Sequence, residues 1–192
     1  MNTQKYTVNQ VAISTLLSYV QAGEIAIPEI QRPFVWDSSR VRDLLDSLYH
    51  GFPVGYVISW QNPSVRLKDG SLARGKKILI DGQQRVTALR AAILGEYVIN
   101  KDFDRIKIKI AFNPLTEKFE VQNPAILKDK TWIPDINEVL MNSSLLKVIR
   151  RYSELNPEAD EDQIERAISI LMDVRKKQIG IIELSHDLDI ET

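Results

Sequence analysis

Apolar residues change their spacing several times along this chain, and each change marks a boundary between elements. From Val8 to Val20 they recur as Val11, Ile13, Leu16, Leu17 and Val20, the spacing of one helical face, and Gly23 closes the segment. Pro28 and Pro33 then bar a helix interior from "IAIPEIQRPFVWDSSR", leaving an extended or turning stretch. Asp37 or Ser38 is placed to cap a helix through Tyr49 that buries Val41, Leu44, Leu45 and Leu48, with Gly51 and Pro53 ending it. The β-branched and aromatic run at 54–60 predicts a strand, 61–75 a loop or hairpin, 76–80 the next strand and 83–94 a helix. Alternation of Ile106, Ile108 and Ile110 with Lys107 and Lys109 predicts one half-buried strand over 105–112, which Asn113-Pro114 turns into a short strand at 118–121. Beyond Pro134 the pattern is helical at 136–151 and, after Asn156-Pro157, at 161–177, and the apolar run at 178–184 reads as a strand returning to the sheet. No repeat or low-complexity linker interrupts it. The expected organisation is α+β: a core over 1–133, a helical subdomain or insertion at 134–177, and a returning strand and tail at 178–192.

Composition narrows the function classes. With 192 residues, 44% of them hydrophobic, the chain can bury a core as one domain or as one domain with a helical appendage. It has no cysteine, hence no disulfide or thiolate metal site, and His50 and His186 are its only histidines, which argues against a zinc site or a histidine-based nuclease centre. The opening "MNTQKYTVNQVAISTLL" lacks the basic and apolar regions of a signal peptide, and no apolar run reaches membrane-spanning length, so a cytoplasmic protein without a membrane partner is expected. A net charge of −1 gives no broad electrostatic footprint for nucleic acid, and any DNA contact must be local. Charge is nevertheless uneven: Val65 to Arg90 holds seven Lys or Arg against two Asp, and Glu154 to Glu165 holds six acids and no base. The first stretch favours an anion, unless the two are simply solvated faces that differ.

Within that basic stretch "KKILIDGQQRVTALRAAIL" passes from strand to helix at Asp81-Gly82. A helix N-terminus offers unpaired N–H groups and partial positive charge, so it holds phosphate when the preceding loop comes close. Gly82 removes the Cβ that would keep a phosphate away, Gln83 and Gln84 add amide donors, and Arg85 adds a planar fork suited to phosphate oxygens. Asp81 is placed to hold a divalent cation or orient a water. The plainer alternative is that Asp81 caps the helix, Gly82 eases the turn and the glutamines are solvated. In "PEIQRPFVWD", Gln31 and Arg32 stand on a stiff backbone between two prolines, with their donors held in fixed directions. Phe34 and Trp36 share one face of this extended segment, either as a platform for a base or sugar or, the favoured reading, as core. His50 suits a helix C-terminus, and His186 beside Asp187, Asp189 and Glu191 suits a solvated tail more than a metal site.

The ordered motifs "IPEIQRPFVWD", "LLDSLYHGFPVGYVISW" and "ILIDGQQRVTAL" resemble the N-terminal domain family of GmrSD-type, modification-dependent restriction enzymes, within the ParB and sulfiredoxin-like superfamily. The likeness covers essentially the whole chain. It implies a ParB-like mixed sheet with flanking helices, a nucleotide-binding core, and a DGQQR element for nucleotide binding and hydrolysis. By that likeness Asp81, Gln84 and Arg85 are catalytic, Gln31, Arg32, Gly82, Gln83, Gln84 and Arg85 hold the nucleotide, and Asp81 carries Mg²⁺. The implied ligand is a nucleoside triphosphate (NTP). The family pattern continues into an "FxxIN…G" segment and often a histidine-containing HNH-type nuclease domain, whereas this chain stops at "LDIET". The expectation is therefore an N-terminal fragment or a stand-alone regulatory subunit that reaches DNA through a full-length protein, a C-terminal nuclease domain or a partner subunit, with no nuclease activity of its own. The alternative function is a DNA-binding regulatory module with a vestigial nucleotide site.

Overall fold

The computed structural model describes residues 4–27, 33–61, 76–142 and 144–185. Gln31, Arg32, most of the polar stretch at 61–75 and the His186 cluster lie outside the described residues. In chain order the elements are β1 (Tyr6–Ala12), α1 (Ile13–Gln21), β2 (Ile25–Ala26), α2 (Ser38–Tyr49), β3 (Tyr56–Trp60), β4 (Lys77–Asp81), α3 (Gln83–Leu94), β5 (Tyr97–Ile99) and β6 (Arg105–Lys107). They continue with β7 (Ile110–Asn113), β8 (Lys118–Val121), α4 (Ile136–Leu140), α5 (Leu145–Leu155), α6 (Glu161–Asp173) and β9 (Gln178–Leu184). The fold is α+β, with six α-helices and a mixed sheet among the described residues.

Two compact units emerge: Met1–Arg32, Val54–Val86 and Gln178–Thr192 form one, and Pro33–Pro53 with Thr87–Lys177 the other. The second unit thus takes α2 and β5 to β8 together with the C-terminal helices α4 to α6. The first unit is a five-stranded sheet ordered β1-β9-β3-β4-β2. β9 runs antiparallel to β1 and parallel to β3, β3 is antiparallel to β4, and β2 is parallel to β4. One end of this sheet therefore collects the ends of β2 and β4 and the start of β3. Ile13, Leu16 and Leu17 of α1 are buried, as are Val57, Ile78, Leu79, Ile179 and Ile181 of the strands.

The helix expected from Val8 begins only at Ile13. Its periodicity holds at Ile13, Leu16 and Leu17, but residues 6–12 pair along their whole length with β9. β1 is an edge strand with Tyr6 and Val8 half exposed, so it shows no alternation to separate it from the helix that follows.

In the second unit, Asp37 caps α2 by accepting the Arg40 N–H at 2.8 Å, and Gly51, at φ +77°, follows its end. Phe112 is fully buried, 5.2 Å from the Tyr49 ring and 4.8 Å from Phe119. The Tyr49 hydroxyl donates to Glu117 at 2.8 Å; burial is the main cause that pushes this hydroxyl above its usual range, while the Tyr49 bond chiefly holds the Glu117 carboxyl down. The strand expected over 105–112 is split: β6 pairs with β5 and β7 with β8, with buried Ile108 between them. Alternation reports which face is buried, not which strand is the partner, so it passes through the break unmarked. The helix expected over 136–151 is likewise two, interrupted where the Asn142 side chain accepts the Ser144 N–H at 3.0 Å.

Asn113 is the polar hub of this unit. Its Oδ1 accepts the N–H groups of Leu115 and Thr116 at 2.9 and 3.2 Å, and its Nδ2 donates to Thr131 Oγ1 at 3.1 Å, all with 6% of the residue exposed. Asn113→Ala is expected to lower stability by about 1–3 kcal/mol in urea unfolding, and Asn113→Asp, which keeps the acceptor oxygen, to lose less.

Candidate functional site

β4 carries two buried residues, Ile78 and Leu79, and then delivers Ile80 and Asp81 to the surface. Gly82 follows at φ +83°, where a Cβ would stand 2.7 Å from Val57 Cγ1 and 3.2 Å from Val57 Cα. Only glycine meets both the conformation and the approach. The Gly82 carbonyl accepts the Val86 N–H at 3.0 Å, so Gly82 itself occupies the cap position of α3. Asp81 stands one residue earlier, exposed, and among the described residues its carboxylate caps no N–H and pairs with no cation.

The first turn of α3 is tied back to the sheet. Gln83 donates its side-chain N–H to the Leu79 carbonyl at 2.9 Å, which turns one of its amide donors inward. Gln84 is half-buried on the same turn. Arg85 Nη1 donates to the Tyr56 carbonyl at 2.7 Å, and its guanidinium lies over Gly55, whose φ is also +83° and whose missing Cβ would be 3.1 Å from Arg85 Nη2. A guanidinium has five N–H donors and this bond uses one. Among the described residues Arg85 bonds a neutral carbonyl and no carboxylate, unlike two other cations of the basic stretch: Lys77 pairs with Glu183 at 2.5 Å and Arg90 with Glu96 at 2.5 Å.

Asp81, Gly82, Gln83, Gln84 and Arg85 thus gather at the sheet end where β4 stops and β3 starts. Among the described residues no three His, Asp or Glu side chains cluster as a ready-made cation cage. A cation at Asp81 would take its remaining ligands from phosphate and water, which is how Mg²⁺ is usually held. Gly55 and the Tyr56 carbonyl were not among the sequence-derived candidates. The one available signal was a glycine between Val54 and Tyr56 at the mouth of a strand.

The aromatic pair behaves unequally. Phe34 is 5% exposed and its N–H donates to the Ile99 carbonyl at 2.9 Å, so it is core as expected. Trp36 is half-buried, and the Arg40 guanidinium lies 5.3 Å from its ring centroid. His50 caps the C-terminus of α2, its Nδ1 2.9 Å from the Asp46 carbonyl oxygen. No helix among the described residues is long and apolar enough to cross a membrane.

An uncharacterized protein of Methanocaldococcus jannaschii is similar to this chain at 33% identity, over 41% of this chain and 16% of that protein. The chain therefore spans a minor part of that relative's length. The family described as GmrSD restriction endonuclease, N-terminal domain, matches residues 13–192, from the first residue of α1 through the glycine-hinged turn to the last residue. By that match the chain belongs to the GmrSD restriction endonuclease N-terminal domain family.

Proposed function

We propose that this chain is the NTP-binding and, with Mg²⁺, NTP-hydrolysing part of a DNA restriction or phage-defence protein, with its site at the turn Asp81 to Arg85. The observation that carries this reading is Gly82, whose left-handed backbone against Val57 brings an exposed carboxylate, a helix N-terminus and an arginine to one end of the sheet. The N-terminal turn of α3 receives phosphate oxygens, and Arg85 adds charge-assisted hydrogen bonds to them. Asp81 holds Mg²⁺ against those oxygens or orients the water that attacks the terminal phosphorus, and Gln84 positions that water or the phosphate.

In this reading Gln31 and Arg32, which lie outside the described residues, add further donors to the phosphates. DNA cleavage falls to a C-terminal nuclease domain or a partner subunit, which the nucleotide site would license.

Gly82→Ala is expected to lose about 2 kcal/mol of stability or more in chemical denaturation, because it adds left-handed strain to an overlap with Val57. Arg85→Ala should weaken binding of a labelled NTP by about 1.5–3 kcal/mol, roughly ten- to a hundredfold, in a protein that still folds. Arg85→Lys should recover part of it, keeping the charge without the fork. Unchanged affinity in folded Arg85→Ala protein would remove this residue from the site. Asp81→Asn should keep most nucleotide affinity and lose Mg²⁺-dependent phosphate release; hydrolysis at the unsubstituted rate would show that Asp81 holds neither cation nor water.

A further inference from the structure

The second unit holds a slot of about 270 Å³ between the chain at 130–134 and helices α4 and α5. That is the volume of roughly nine waters, enough for one flat ring system and little more. Its walls are apolar and aromatic: Trp132, Val139, Val148 and Tyr152. The Tyr152 ring is fixed, because its hydroxyl donates to the Thr131 carbonyl at 2.7 Å, while the Trp132 indole remains half-buried.

Three exposed cations stand at the slot: Lys130 from the preceding loop, and Lys147 and Arg151 from α5. Among the described residues the side-chain charge of none of the three is met by an ion pair or a hydrogen bond. Lys147 and Arg151 are four residues apart on α5, neighbours of like charge whose repulsion works against the helix unless an anion lies between them. Glu138 and Asn142 also line it. The Asn142 oxygen is already taken by the Ser144 N–H, so its amide presents donors, while Glu138 presents acceptors. Donors and acceptors side by side are the complement of a base edge.

We propose that this slot takes one unpaired base of single-stranded or locally opened DNA, stacked on Trp132, with its flanking phosphates held by Lys130, Lys147 and Arg151. Stacking on an aromatic wall beside a basic rim is how sequence-tolerant single-strand binding works. The slot shares no residue with the turn at Asp81 to Arg85.

The test is fluorescence anisotropy on the full chain with a labelled single strand of about 12 nucleotides, its blunt duplex, and a peptide of alternating Glu and Leu. The single strand should bind more tightly than either and quench indole emission. Trp132→Leu should weaken it by about tenfold or more and abolish the quench, and Trp132→Phe, which keeps a ring, should retain most of the affinity. Lys147→Ala with Arg151→Ala should weaken binding and reduce the salt slope by about 1.4, two phosphate contacts' worth. Arg85→Ala should leave single-strand affinity unchanged. Absence of single-strand binding, equal affinity for the duplex, binding of the peptide alone, or affinity indifferent to the Trp132 and Lys147/Arg151 substitutions in folded proteins would each overturn the assignment.

Discussion

The turn at Asp81 to Arg85 exists because one side chain is missing. Val57 fills the space where a Cβ on Gly82 would go, with its Cγ1 at 2.7 Å and its Cα at 3.2 Å from that point, so β3 and the start of α3 can approach only through glycine. Everything else at the turn follows from that approach. It brings the first turn of α3 within reach of the sheet's own carbonyls, and the side chains of Gln83 and Arg85 use two of them, Leu79 and Tyr56. A second glycine, Gly55, makes room for the guanidinium. The Gln83 amide and the Arg85 guanidinium are thereby held in place by the sheet.

Sequence pattern alone carries the locally determined parts of this architecture. α2 is legible because its cap, Asp37, its apolar face and its terminating Gly51 all lie within one short window. β9 is legible because an apolar run bounded by polar residues has no helical spacing. What escaped depends on partners far along the chain. β1 is a strand because β9, some 170 residues later, pairs with it, and β6 and β7 are separate because β5 and β8 compete for what reads as one continuous alternation. The break between α4 and α5 is local but quiet: Asn142 has ordinary helix company and interrupts the helix through a side-chain bond that composition does not announce.

The candidate site divides in the same way. Its residue types and their position at a strand-to-helix join are visible in five consecutive letters, and the glycine in that join is where the backbone needs one. The tether of Arg85 is not visible, because its partner is a main-chain carbonyl 29 positions away and a carbonyl has no letter of its own. Trp36 shows the limit of alternation as a guide: it shares a face with Phe34 by spacing, yet Phe34 is sealed in the core and Trp36 stays half-open beneath Arg40.

The basic stretch around the turn is less basic than its count suggests. Lys77 and Arg90 are each matched by a glutamate, so their fields are largely cancelled at close range. Arg85 is held by a neutral carbonyl, which fixes its position without compensating its charge. It also sits in the first turn of α3, where the helix dipole is positive and a cation is disfavoured by about 0.3–1 kcal/mol. Asp81, just before that turn, offsets part of this. A chain selected for stability alone would place an acid at this position or pair the arginine with one, and among the described residues Arg85 has only the Tyr56 carbonyl. An immobilised cation where helix electrostatics oppose it is the arrangement that the anion site proposed for this turn requires.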